Sequence, residues 1–284
     1  MGRLDISAKI YSFSIILSTA AICIGLIVRL SLPAALVVGI VLYILVFSLC
    51  TRSTFFLVAP AGQSAFSIKK VLGLLKVNFP LCVSASLAIY NGNAPKYHID
   101  AAMDEKAQAV FGYIMMPMFV LYLFNGFILS PIVKELAEIW TNEQYDRFLK
   151  KIRNHCLVLM ALSLTVLAGG CLVGLPVLSW MYVIDLSAYR NIFMIIMLGG
   201  TFYTLSSYFS TLLTTMRRLR PIMGAEILVA AVNVAAGALV AGKFGMTGVA
   251  WLYVLVNFIS FAIKGTISLM TALKARSAGT RNER

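Results

Sequence analysis

Long apolar runs without charge alternate with short basic connections along the chain, and this pattern predicts an all-α, polytopic transmembrane helix bundle of about eight spans. Lys9 and Arg29 bracket residues 10–28. At about 1.5 Å per residue that run just crosses a hydrocarbon core. A signal peptide is the competing reading, with Arg3 and Lys9 as its basic start, but the run is long and another follows at once, which favours a retained helix. The second run, 33–50, opens on Pro33, where a helix can begin. Residues 55–67 are apolar and interrupted by Pro60 and Gly62. They lead into Ile68-Lys69-Lys70-Val71-Leu72-Gly73-Leu74-Leu75-Lys76, whose lysines alternate with aliphatic residues at helical spacing, predicting a short amphipathic helix on the inner membrane surface. A third span is entered through Pro80, and a fourth, 107–133, is long enough to tilt or project from the bilayer. Residues 134–155 mix both charge signs and read as solvated helix and turn. Four more runs follow at 156–175, 192–216, 221–241 and 249–273.

The third span departs from the pattern, because it dissolves into Tyr90-Asn91-Gly92-Asn93-Ala94-Pro95-Lys96 before reaching its far side. Broken backbone is tolerated at membrane depth only against protein or a water-filled cavity, so this stretch is expected to form a cavity wall followed by an external loop from Asn91 to Lys106.

Composition agrees with the pattern: 60% of residues are hydrophobic and 12% charged, about half the charge of a soluble domain. The net charge of +13 is accounted for by Lys and Arg bias in cytoplasmic loops, so nucleic acid is not expected as a partner. With both termini inside, eighteen Lys and Arg fall in cytoplasmic segments and five in external ones, with Lys264 left inside a span. The expected location is the cytoplasmic membrane. The five Cys residues show no CxxC, and only His98 and His155 are present, so neither a metal site nor another cofactor is expected.

Two polar faces stand out among the spans. In the eighth, Tyr253, Asn257, Ser260, Lys264 and Ser268 recur every three or four residues and share one face. Lys264 either lines water or a partner there, or snorkels to the inner surface. In the seventh, Glu226 and Asn233 share a face, and Glu226 either forms an ion pair, with Lys264 or the Arg217, Arg218, Arg220 group, or takes part in cation coupling. Asn125 and Tyr90 are candidate cavity residues or interhelical hydrogen-bond partners. The stretch from Gly237 to Phe244 nearly spells a phosphate-binding loop, but Phe244 replaces the Ser or Thr and a membrane helix precedes it, so that reading fails.

Residues 93–100, then Phe111-Gly112-Tyr113, Pro117, Asn125 and Pro131, resemble the seventh and eighth helices of bacterial polysaccharide repeat-unit flippases, of the multidrug/oligosaccharidyl-lipid/polysaccharide exporter superfamily. Asn233-Val234 and, later, Gly245-Met246-Thr247-Gly248-Val249-Ala250 are similar to that family's penultimate helix, external turn and start of the last helix. Lys96 stands where family members often carry Arg, and Gly242-Lys243 replaces a proline-containing turn. The resemblance implies two six-helix lobes around a central cavity, with residues 62–284 as the C-terminal lobe and 1–61 as two helices of a partial first lobe. It further implies export, without bond making, of a lipid-pyrophosphate-linked oligosaccharide, with the lipid tail left among the membrane lipids. The candidate cavity residues, from spacing and resemblance together, are Tyr90, Asn91, Asn93, Lys96, Asn125, Asn257 and Lys264, with Glu226 and Asn233 as coupling or ion-pair candidates and no catalytic residue. The expectation is that the chain alone does not transport and that a separate chain supplies four more helices. The alternatives are a cation-coupled multidrug exporter, an inactive fragment, and a membrane glycosyltransferase or polymerase, for which the longest external loop is short.

Overall fold

The computed structural model describes residues 4–58 and 68–282. Every regular element among them is helical: α1 (Leu4–Ile27), α2 (Leu32–Val58), α3 (Ile68–Ala102), α4 (Glu105–Thr141), α5 (Tyr145–Gly169), α6 (Leu175–Tyr182), α7 (Arg190–Thr215) and α8 (Leu219–Asn282). A π-helical turn at Gly170–Gly174 joins α5 to α6. Seven of the helices are long and apolar enough to cross a membrane. The chain divides into two compact units, Met1–Ile68 and Lys69–Arg284. The expected domain boundary at 61/62, with Pro60 and Gly62, lies outside the described residues.

In the first unit α1 and α2 form a hairpin closed by small residues. A Cβ at Gly25 would touch Ala35, a Cβ at Gly39 would run into Ile22, and Ser18 Oγ donates to the Gly39 carbonyl at 2.8 Å. Without a hydrophobic drive between helices in lipid, such close backbone approach supplies the packing. The outward residues are aliphatic and exposed, Ile16 and Ile27 among them.

The second unit is centred on α7, 56% of whose apolar window is buried, against 6% for α3. Phe193, Ile196 and Met197 of α7 pack on Phe111, Ile114 and Met115 of α4, while Tyr208 and Leu212 pack with Phe148 and Ile152 of α5. Gly199 and Gly200 make room for two neighbours, since a Cβ there would sit 2.5 Å from the Tyr253 ring and 2.7 Å from Met118 Cγ. At the α4–α5 turn Glu135 accepts from Lys151 at 2.9 Å and from Arg147 at 3.4 Å, and the Lys151 hydrogen bond holds the Glu135 carboxyl below the usual range. The solvated helix and turn expected there is seen: α4 ends at Thr141, and the Lys134 and Glu138 side chains of one helical pair are 76% and 63% exposed.

α8 is one helix by hydrogen bonding but two by geometry. Its 64 residues would extend about 96 Å if straight, three bilayer cores. Gly245 interrupts it at φ 58°, ψ −150°. Lys264 Nζ lies 2.6 Å from Glu226 Oε1, whereas 38 residues of straight helix would hold them about 57 Å apart. Arms 219–244 and 246–282 therefore run antiparallel, with Val229 packed on Leu252 and Val256. The sequence runs 221–241 and 249–273 fall one on each arm.

α3 corrects three expectations. The external loop from Asn91 to Lys106 is helical to Ala102, leaving a turn at Met103 and Asp104, whose carboxylate caps α4 through Ala107 N at 2.7 Å. The backbone does not dissolve at Asn91 to Pro95: Pro80 and Pro95 both lie inside the helix. In lipid the lost bonds of a proline cost less than an unwound segment, and the Asn93 amide turns back onto the Ile89 carbonyl at 3.0 Å. For the same reason 68–76 is no separate surface helix but the opening turns of α3.

The conformation at Gly245 is one that side-chain-bearing residues avoid at a cost of about 1–3 kcal/mol. Gly245→Ala should lower stability by that amount in denaturant unfolding of the purified protein. Wild-type stability would contradict the hairpin.

Candidate functional site

A buried chain of hydrogen bonds joins α3, α7 and both arms of α8. Asn233 Nδ2 donates to Asn91 Oδ1 at 3.3 Å, and Asn91 Nδ2 donates to Glu226 Oε2 at 2.7 Å and to the Glu226 carbonyl at 3.2 Å. Glu226 Oε1 receives Lys264 Nζ at 2.6 Å. Lys264 donates on to Ser206 Oγ at 3.1 Å, which is 2.8 Å from Ser260 Oγ. Lys264 is 2% exposed and Glu226 7%.

Helical register produces this convergence. Asn91, Ala94, Pro95 and His98 are the buried residues of one α3 stripe, spaced i, i+3, i+4, i+7. They meet Glu226, Asn233 and Gly237 on the first arm of α8, another stripe, where Gly237 has no side chain because the His98 ring fills the space a Cβ would need. The two stripes run parallel, Asn91 beside Glu226 and Asn233, His98 further along beside Gly237.

The ion pair lines a cavity of about 180 Å³, together with Asn91, Tyr122, Tyr203, Ser206, Asn257 and further serines and a threonine of α7. The Tyr122 and Tyr203 rings stand 5.7 Å apart at 48°. Ligand pockets run to about 300–1,000 Å³, so this conformation holds several waters or one small polar group. Hydroxyls, amides and an ion pair at this depth are expensive in a bilayer and mark a functional cavity by default.

Five residues singled out from sequence meet here: Asn91, Glu226, Asn233, Asn257 and Lys264. Lys264 reaches Glu226, so its amine neither snorkels nor stands free, and Glu226 is bonded to Lys264 instead of to the Arg217, Arg218, Arg220 group. Four others lie elsewhere. Tyr90 stacks on Tyr97 at 6.2 Å, Asn93 bonds its own helix, and Lys96 sits 5.7 Å over the Phe119 ring. Asn125 is buried with its Oδ1 unpaired. The lining of α7 was missed, although Tyr203, Ser206, Ser207, Ser210 and Thr214 recur with the same three-and-four spacing that exposed the Lys264 face.

Seven apolar helices of spanning length define the class, a multi-pass helical membrane protein. No protein-family model, curated protein or solved structure matches the chain.

Removing one member of a buried pair typically costs about 3–5 kcal/mol, because the survivor keeps its desolvation cost, whereas replacing both with apolar residues is near neutral. Lys264→Met should destabilise by that much in detergent unfolding, and Glu226→Leu combined with Lys264→Met should recover most of it. Equal loss in the single and the double variant would show that the pair does not act as one.

Proposed function

We propose that the chain is a membrane transporter that passes the sugar-bearing headgroup of a lipid-pyrophosphate-linked oligosaccharide along the polar wall built by α3, α7 and the α8 hairpin, with the lipid tail left in the bilayer. The observation that carries this reading is the cavity lining: hydroxyls, amides and two tyrosine faces at membrane depth, in a pattern suited to exchanging hydrogen bonds with sugar hydroxyls. The resemblance to polysaccharide repeat-unit flippases supplies the substrate class. On this reading the two arms of α8 each cross once, giving eight crossings, and residues 69–284 form one lobe of six. The facing wall comes from a second lobe. The cavity is too small for an oligosaccharide in this conformation, so transport requires α3 to move. That helix is suited to it, being the least buried of the unit and held by few polar bonds. Alternating access then amounts to a substrate that binds the open arrangement better than the closed one.

One observation favours a cation as cargo or coupling ion instead: Glu226 is the sole acid in the lining. Its bond to Lys264 offsets that charge, which favours a polar or anionic headgroup.

Asn257 provides a clean probe, because its amide bonds only the Tyr253 carbonyl and lies outside the ion-pair chain. In a flippase-deficient host restored by the chain together with helices supplying the facing lobe, Asn257→Leu should cut surface polysaccharide about tenfold or more, a loss of roughly 1.4 kcal/mol of substrate interaction, at unchanged membrane abundance. Full export by Asn257→Leu and by Tyr203→Phe would overturn the reading.

A further inference from the structure

A second cavity, at the end of the unit where α3 begins, α7 stops and α8 starts, has a different chemistry. It measures about 680 Å³ and is lined by Lys76, Arg217, Arg218 and Arg220 between Pro80 and Pro221. A neighbouring cavity of about 490 Å³ shares Arg218 and Pro221 and adds Lys274 and Trp140. Among the described residues no acid lines either one. Among the described residues none of these five cations forms an ion pair, whereas at the α4–α5 turn Lys134, Arg147 and Lys151 pair with Glu138 and Glu135, and Arg276 pairs with Asp146. The positive charge is thus compensated on one part of this end and left uncompensated in a concave part of it.

The backbone adds an independent observation. Arg217 occupies the left-handed position that closes α7, at φ 57°, with its N–H on the Thr214 carbonyl at 2.9 Å and that of Arg218 on the Leu213 carbonyl at 2.8 Å. Glycine fits this helix-ending motif without strain, and an arginine does not. Arg217 lines the cavity from this strained position, beside Arg218 and Arg220.

Depth fixes the kind of ligand. α7 ends at Thr215 and α8 begins at Leu219, so Arg217 and Arg218 lie in the connection and Arg220 in the first turn of α8, at the shared end of two helices of spanning length, where lipid headgroups would lie on the proposed reading. Guanidinium forks match phosphate oxygens two at a time, and basic pockets between spans at this level suit phosphate-bearing headgroups. The volume is that of a headgroup site. We propose that this basic cavity binds the phosphate of an anionic membrane lipid, independently of what the central cavity carries.

The test places a reporter beside the site. With Trp180→Phe and Trp251→Phe, Trp140 is the sole tryptophan and borders the neighbouring cavity. The full chain is reconstituted in phosphatidylcholine vesicles containing a small fraction of phosphatidylglycerol with brominated tails, and Trp140 quenching is compared with that from brominated phosphatidylcholine at the same fraction. The anionic lipid should quench in clear preference. Arg218→Gln with Arg220→Gln should abolish the preference, while Lys150→Gln with Arg153→Gln, an equal charge change outside the cavity, should leave it intact. Arg217→Gly should weaken the preference about fivefold, as loss of one headgroup-level cation implies, with an unfolding temperature equal to or above that of the parent because the strain is relieved. Equal quenching by both lipids, an unchanged preference in the Arg218/Arg220 variant, or loss of preference in the Lys150/Arg153 control would overturn the site. Displacement of the brominated lipid by excess inorganic pyrophosphate would overturn its assignment to a lipid and give it to a free phosphate ion.

Discussion

Glu226 cannot be left alone inside a hydrocarbon-rich helix bundle, and much of the second unit is arranged so that it is not. One carboxylate oxygen takes the Lys264 amine and the other takes the Asn91 amide, while Asn233 completes Asn91 and Ser206 completes Lys264. An unsatisfied polar group costs several kcal/mol in the absence of water, so each partner specifies the position of the next. The pair at 226 and 264 fixes the two arms of α8 against each other, Ser206 fixes the second arm on α7, and Asn91 draws in α3. Apolar packing holds α4, α5 and α7 together. It contributes little to α3, whose apolar residues Leu74, Val77, Phe79 and Ile89 face outward.

That division of labour gives the unit one tightly packed part and one loosely held wall. The glycines mark the difference. Gly199 and Gly200 let bulky neighbours into the α7 interface, and Gly245 reverses α8. The π-helical turn at Gly170–Gly174 lies just before Pro176, where the missing N–H would otherwise interrupt the ladder, and Phe193 packs against Gly170. α3, by contrast, passes two prolines without breaking and touches α8 through side chains, Asn91 at one level and His98 at the next.

Much of this was legible in the sequence because the bilayer makes the code simple. Charge-free runs located the spans, including the two arms of α8, and the three-and-four recurrence of Tyr253, Asn257, Ser260 and Lys264 identified a face that does point inward. Glu226 and Asn233 were legible as a pair of buried polar residues seven apart. What misled was treating Asn, Gly and Pro as breakers with soluble-protein weight. In lipid the alternative to helix is costlier, so Asn91 to Pro95 stay helical, and Asn91 joins the cavity while Tyr90, Asn93 and Lys96, on other sides of the same helix, do not. Which polar residues meet is a matter of tertiary register. The α7 lining carried the same periodic signal as α8, but serines and threonines read more softly than a lysine.

Polar bonds from Asn91, more than apolar burial, hold α3 on the α8 hairpin. Ile89 on α3 and Val234 on α8 are each 68% exposed and accept spin labels without entering the interface. Pulsed electron resonance between labels at these two positions in bilayer discs should give one narrow distance distribution for the parent. Asn91→Ala should broaden it and shift it to longer distances. An Asn91→Ala distribution as narrow and as short as the parent's would contradict the account.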